Sequence, residues 1–378
     1  LAKLLFIGTR DWLFARHHLP LVRAARERDH EVVVAAGDHG HGGRITAAGA
    51  RFVPLDSGIW RNNPVALARG IDTLRRVMLE HAPALVQLHG VRAALAGSAA
   101  ARLAAVPRRI LALNGLGAIS TTTGLPGDGL RAVARLLAGS ALSSGTRLVL
   151  DNPADATALG LDPANPALRL TGGAGVDPLI HMPEPMPWSP PLKLAFVSPL
   201  LWTHGPNLAV DAVGKARAAG VDVTLSLIGA PFPPGRSAVP AAVLEGWSRL
   251  PGIGWFAPPS DMAQVWQQHH ALIVPAGGGD GLPGIVLQAA ATARPLIVTS
   301  STGAAAGFVR DGVDGRVVDG ADPDALVEAV IQFARAPALV ERMGRAARER
   351  VLDGYTERQV MDTFKRLWAD MLGEGPTA

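Results

Sequence analysis

No cysteine occurs in the 378 residues. The chain therefore holds no disulfide and no thiolate metal site, and it fits a reducing compartment. Aromatic residues make up only 5%, and no basic run has aromatics interleaved with it. Both shortages argue against a nucleic-acid partner. A run of about 18 uncharged apolar residues is missing, so no membrane-spanning helix is expected. The alanine-rich stretch at 93–106 is broken by Arg102 and reads as a buried helix. There is no signal-peptide pattern, and the chain opens at Leu1, which fits a trimmed start. The first strand leads into Gly8-Thr-Arg-Asp-Trp-Leu, without G-x-G-x-x-G, so a nicotinamide-dependent oxidoreductase is set aside. Lysine is scarce, four against 32 arginines, which fits GC-rich codon usage better than function.

At 48% hydrophobic, a chain of this length buries ample core and reads as two domains. Short apolar runs alternate with amphipathic stretches, the pattern of an α/β protein with parallel strands. The first series of strands runs KLLFIG (3–8), EVVVA (31–35), RFVPL (51–55), ALVQL (84–88), RILAL (109–113), RLVL (147–150) and LRLT (168–171). Helices are expected near 18–28, 64–80, 92–105 and 128–142. Residues 181–191 carry five prolines and read as an extended linker. A second series follows at 193–198, 223–229, 271–275, 295–299 and 315–319. The boundaries expected are a first domain at 1–180, the linker at 181–191, a second domain at 192–355 and a terminal helix within 356–378. Charge is uneven: residues 1–187 carry 20 Lys/Arg and 14 Asp/Glu, the remainder 16 and 18. A basic first half suits an anionic substrate or lipid surface, although ordinary solvated arginines explain it equally well.

The richest local signal is Pro275-Ala-Gly-Gly-Gly-Asp280-Gly-Leu-Pro283, where a strand meets a glycine loop and a helix begins at Gly281-Leu282-Pro283. Several free backbone N–H groups then converge, which suits a phosphate. Gly115 and Gly117 follow a strand directly and permit close ligand approach, or simply a plain turn. His17 sits at a helix start beyond the first strand's carboxyl end, where α/β sites form. The histidine-bearing glycine loop at 37–43 reads as a mobile substrate-side loop rather than a metal site. Asp177 reads as the cap of a turn.

These segments resemble the retaining glycosyltransferases of the GT-B fold, family four, and are closest to bacterial enzymes of undecaprenyl-linked glycan or capsular polysaccharide synthesis. Phe14-Ala-Arg16-His17-His18-Leu-Pro-Leu21 corresponds to F-x-x-H-R-L-P-L, and Arg61 with Asn63-Pro64 to R-x-N-P. Asn114-Gly115-Leu-Gly117 is similar to S-G-L-G, Asn152-Pro-Ala-Asp155 to N-P-x-D, and Gly173-Ala-Gly175-Val-Asp177 to G-x-G-V-D. The donor segment is similar to P-S-x-x-E-G-x-P-x-x-x-x-E-A, with Asp280 and Gln288 standing for the two glutamates. The resemblance implies two Rossmann-like domains with parallel sheets facing across a cleft, and a last helix returning to the first domain. It also implies a cytoplasmic enzyme, peripheral at the inner face of the cell membrane, that needs no metal or other cofactor. Its donor would be a UDP- or GDP-sugar and its acceptor a polyprenyl-diphosphate-linked glycan or polysaccharide. On that reading Asp280, His204 and His17 are catalytic, while Gly281, Leu282, Pro283, Gln288, Ser198, Trp255 and Ala257 hold the nucleotide sugar. Arg16, Arg61, Arg92, Asn114, Gly115 and Gly117 hold the acceptor.

The departures from that pattern gather at the donor site. Where the family has S-R-L-x-x-x-K-G, this chain has Ser198-Pro199-Leu200 and His204-Gly205. Losing one preorganised donor typically costs about 3–4 kcal/mol of transition-state stabilisation. Two such losses amount to a rate deficit on the order of 10⁴ to 10⁶ unless something replaces them. Gln288 turns a charge-assisted bond into a neutral one, and Asp280 is shorter than glutamate by roughly 1.5 Å. Gln87 stands where the family's P-D-x-x-H has histidine, with His89 two residues on and on the same strand face. Two readings stay open. One is an active transferase with a rearranged donor pocket using Arg236, Arg294 or Arg310. The other is a catalytically weak or silent protein that partners a transferase in a glycan assembly complex. An epimerase of UDP-N-acetylglucosamine shares the fold, but its motifs do not match.

Overall fold

A computed structural model describes residues 1–61, 63–113, 135, 139, 145–187, 189–230, 237–277 and 281–374. Two compact units result, Leu1–Ala174 with Glu357–Ala378, and Gly175–Thr356. The first division falls before the proline-rich stretch, so residues 181–191 belong to the second unit rather than lying between two bodies.

In the first unit the strands are β1 (Lys3–Ile7), β2 (Glu31–Gly37), β3 (Arg51–Leu55), β4 (Leu85–His89), β5 (Arg109–Leu113), β6 (Thr146–Leu150) and β7 (Leu168–Leu170). They form one parallel sheet in the order β3-β2-β1-β4-β5-β6-β7. Parallel strands are covered on both faces, which is why these segments read as unbroken apolar runs. Alternate residues serve different cores. Leu5 and Ile7 join Val33, Val86 and Leu111 on one face. Leu4 and Phe6 join Val34, Leu85 and Ile110 on the other.

Helices α1 (Asp11–His17), α2 (Leu19–Arg26), α3 (Gly42–Ala47), α4 (Pro64–His81), α5 (Val91–Leu103) and α6 (Pro153–Ala158) connect the strands. The N-P motifs resolve into helix starts. Asn63 accepts a hydrogen bond from Ala66 N at 2.8 Å, Asn152 does so from Asp155 N at 2.9 Å, and each proline takes the first helical position.

The second unit repeats the plan with β8 (Leu192–Val197), β9 (Val223–Ile228), β10 (Ile253–Phe256), β11 (Ala271–Val274), β12 (Leu296–Thr299) and β13 (Gly315–Val318). Its parallel sheet runs β10-β9-β8-β11-β12-β13. The helices are α7 (Pro206–Ala218), α8 (Ala241–Ser248), α9 (Ala263–Gln268), α10 (Gly284–Ala291), α11 (Ala304–Phe308), α12 (Pro323–Arg335) and α13 (Pro337–Gly354). The last helix, α14 (Glu357–Leu372), belongs to the first unit. Val360, Phe364, Leu367, Trp368 and Met371 form its buried stripe, against Phe6 and Phe14. In both sheets strand order reverses once, between β1 and β4 and between β8 and β11. In open parallel sheets ligands bind beyond the strand ends at such reversals.

Candidate functional site

At the reversal in the second unit, the carboxyl ends of β8, β9 and β11 are drawn together by glycines. A Cβ on Gly229 would lie 2.2 Å from Ser198 O, and one on Gly277 would lie 2.9 Å from Thr302 Cα. Neither position has room for a side chain. Gly205 has φ +72°, and a Cβ there would sit 3.0 Å from Ala276 Cβ. The turn after His204 is therefore seated directly on the 275–277 loop. Trp255 Nε1 donates to Gly229 O at 3.1 Å, which adds the end of β10 to the group. The structure thus brings Ser198, His204, Trp255 and the loop after β11 into one neighbourhood. Ala257 follows β10 and is exposed.

His204 is buried, with Nδ1 2.6 Å from Ser198 Oγ and 2.9 Å from Pro199 O. A carbonyl only accepts, so Nδ1 carries the hydrogen. Nε2 then carries one only in the imidazolium form. Helix α10 begins one residue beyond the expected Gly281-Leu282-Pro283 start. Pro283 takes the N-cap place, Gly281 turns the chain at φ +66°, and Leu282 spends its side chain in the core. Gln288, one turn in, has its Oε1 buried with no partner among the described residues. Asp280, Asn114, Gly115, Gly117 and Arg236 lie outside the described residues.

Two arginines considered for a rearranged donor pocket are engaged elsewhere. Arg294 is fully buried and donates to the carbonyls of Trp266, Glu184, Pro185 and Thr292. It pins the proline-rich stretch to its own unit, and burial lowers its pKa to about 10, still charged at neutral pH. Arg310 is paired with buried Asp314 through Nε at 2.6 Å, and Asp314 also accepts from its backbone N–H.

At the reversal in the first unit, the end of β4 meets α1 and α2. His17 ends α1 instead of opening a helix, and His18 stands between the two helices. With His89 they line a small hollow closed by Leu21, Gly173 and α14. The His18 and His89 ring centroids are 4.2 Å apart. Burial drives all three pKa values down, His89 to about 3, and the charge of Arg16 lowers that of His17 further. The cluster is neutral at physiological pH. Arg16 and Arg61 are exposed, while Arg92 donates to Trp60 O at 2.9 Å beside Arg61.

The 38–41 loop has an anchor that sequence reasoning missed. Asp11 is completely buried and accepts from the backbone N–H groups of Trp12, His39 and His41. Burial pushes its carboxyl up, but those three donors outweigh it and hold the pKa below the usual value. No group of three or more His, Asp or Glu placed to hold a metal occurs among the described residues. Within the same residues no helix is long and apolar enough to cross a membrane. Thr299 was also missed. Its hydroxyl donates to Pro275 O at 2.8 Å and so braces the loop after β11, a contact with no local sequence signature.

Comparison with known proteins agrees with this architecture. Residues 3–146 match the family model described as glycosyl transferase 4-like, and residues 191–336 match glycosyl transferases group 1. A D-inositol 3-phosphate glycosyltransferase of Streptomyces griseus is 36% identical over 94 residues, 24% of this chain and 20% of that protein. The match thus spans about a fifth of that relative's length. A glycosyltransferase of Rickettsia africae superposes with a TM-score of 0.77 at 11% identity, covering 99% of both chains. Anabaena HepE, solved with UDP and glucose, does so at 0.72 and 13%, covering 98% of this chain and 100% of that one. Matched in both halves by glycosyltransferase domain models and sharing their two-sheet architecture, the chain belongs to the GT-B-fold glycosyltransferases.

Proposed function

We propose that the chain moves a sugar from a UDP- or GDP-sugar to a polyprenyl-diphosphate-linked or polysaccharide acceptor, with retention at the anomeric carbon, in bacterial surface-glycan synthesis. The transfer breaks the bond between the anomeric carbon and the diphosphate oxygen and forms one to an acceptor hydroxyl oxygen. The hydroxyl proton leaves with the nucleoside diphosphate.

The observation that carries this reading is the buried Gln288 Oε1, without a partner among the described residues, on the helix that follows the glycine loop. A ribose hydroxyl is a donor of the right kind for it. Diphosphate oxygens would lie at the Gly281–Pro283 turn beside His204, with the base toward Trp255 and Ala257 and with Asp280 toward the sugar. His17, Arg16, Arg61 and Arg92, with Asn114, Gly115 and Gly117, would hold the acceptor at the inner face of the membrane. No metal or other cofactor enters this scheme. HepE, a protein of the same fold, was solved with UDP-glucose, which supports the donor class.

One observation favours the alternative of a silent partner protein. Pro199 has no side-chain donor or charge, and a histidine at 204 is not permanently charged as a lysine is, so the turn lacks the fixed cations of the family pattern. Incubating the chain with mixed nucleotide sugars and a polyprenyl-linked acceptor separates the two readings. Release of nucleoside diphosphate that Asp280→Ala abolishes is the expected result. No release from any donor, with binding to a partner transferase retained, would favour the silent protein.

A further inference from the structure

A buried line of hydrogen bonds joins the last helix to the end of β4. Trp368 Nε1 donates to Gln87 Oε1 at 2.9 Å, and Gln87 Nε2 lies 3.3 Å from His89 Nε2. None of the three is more than 6% exposed. An indole nitrogen only donates, so the amide oxygen has to face Trp368 and the amide NH2 has to face the imidazole. An amide NH2 also only donates, so His89 Nε2 is the lone-pair nitrogen and the ring hydrogen is on Nδ1. The chain of donors has one direction, and each member dictates the next.

His89 Nδ1 has no partner among the described residues. The ring is otherwise held by apolar contacts, with Phe14 edge-on at 5.4 Å and Phe6 at 6.0 Å. It lines the hollow shared with His17 and His18.

We propose that Gln87 and Trp368 are positioning residues that hold His89 as its Nδ1–H tautomer, so that a ring lining the hollow is kept as a hydrogen-bond donor and not a base. Its bearing on sugar transfer rests on the transferase reading, whereas the tautomer does not. Trp368 also stacks on Phe6 at 5.8 Å, so α14 is at once part of the core and the source of the first donor in the line.

Long-range proton–nitrogen correlation spectra of the full chain, labelled with ¹⁵N-histidine, test this directly. The His89 signals are those lost in His89→Asn. In the wild type a pyrrole-like Nδ1 and a pyridine-like Nε2 are expected, unchanged between about pH 5.5 and 8. In Gln87→Glu the carboxylate accepts from both sides, so the two nitrogens should exchange characters. Trp368→Phe keeps the stacking and removes only the N–H, and should give a mixture as the amide turns over. A wild-type His89 with its hydrogen on Nε2, or variant spectra identical to wild type, would overturn the proposal. Should Gln87→Glu fail to fold, the wild type and Trp368→Phe decide. A chain that binds UDP but carries the wrong tautomer refutes only this relay. The right tautomer without UDP binding refutes only the donor site.

Discussion

Gln288 Oε1 accepts from nothing among the described residues, although it is buried on a helix that otherwise packs tightly. Proteins seldom leave a carbonyl oxygen in that state unless an ordered water, an ion or a ligand completes it. A carboxylate at that position would be costlier to bury without a partner than the neutral amide. Gln288→Leu keeps the volume and removes the acceptor. Its UDP affinity should fall about tenfold, equivalent to the 1–1.5 kcal/mol of one neutral hydrogen bond. Unchanged affinity by calorimetry, in a variant of wild-type stability, would remove Gln288 from the site.

At the scale of elements, the proline-rich stretch is fastened by side chains of its own unit: Arg294, with Arg348 at His181 O and His270 at Pro187 O. Arg294 donates to four carbonyls, two of them in that stretch at Glu184 and Pro185. Arg294→Met leaves those carbonyls unpaired and should cost on the order of 3 kcal/mol or more. A lower urea midpoint and new proteolytic cleavage within 182–187 are expected, and an unaltered midpoint would contradict this. The strands were legible in the sequence because burial on both faces makes continuous apolar runs, as in β1, β2 and β12. Strand β10 was not, because Ile253–Phe256 is short, contains a glycine and lies at the sheet edge. Helix α1 was overlooked because it has only seven residues, with polar Arg10 and buried Asp11 at its start. For the candidate site, His204 and Gln288 were singled out by their resemblance to family motifs that are local in sequence. The roles of Asp11, Thr299 and Trp368 arise from partners far away in sequence, which periodicity does not report.

Across the whole molecule, buried histidines govern the response to acid. Burial lowers the pKa of His17, His18, His30, His89, His181, His269 and His270 from the ordinary 6.5. Below about pH 6.5 the unfolded chain therefore binds protons that the folded chain refuses, and stability falls with pH. For His89 the loss continues down to about 3. Asp155, pushed up to about 6 by burial, works in the opposite direction as pH drops from there toward 3.8, but among the described residues it is one group against seven. Thermal unfolding should show a lower Tm at pH 5 than at pH 7.5, and an equal or higher Tm at pH 5 would contradict the burial of these rings. Both units carry the same reversal of strand order, where open parallel sheets bind ligands, and the transferase reading proposes a nucleotide sugar at the second. Titration calorimetry of the full chain with UDP and with GDP tests that claim most directly. Saturable one-to-one binding of at least one of them is expected, and no detectable heat or binding with either would contradict it.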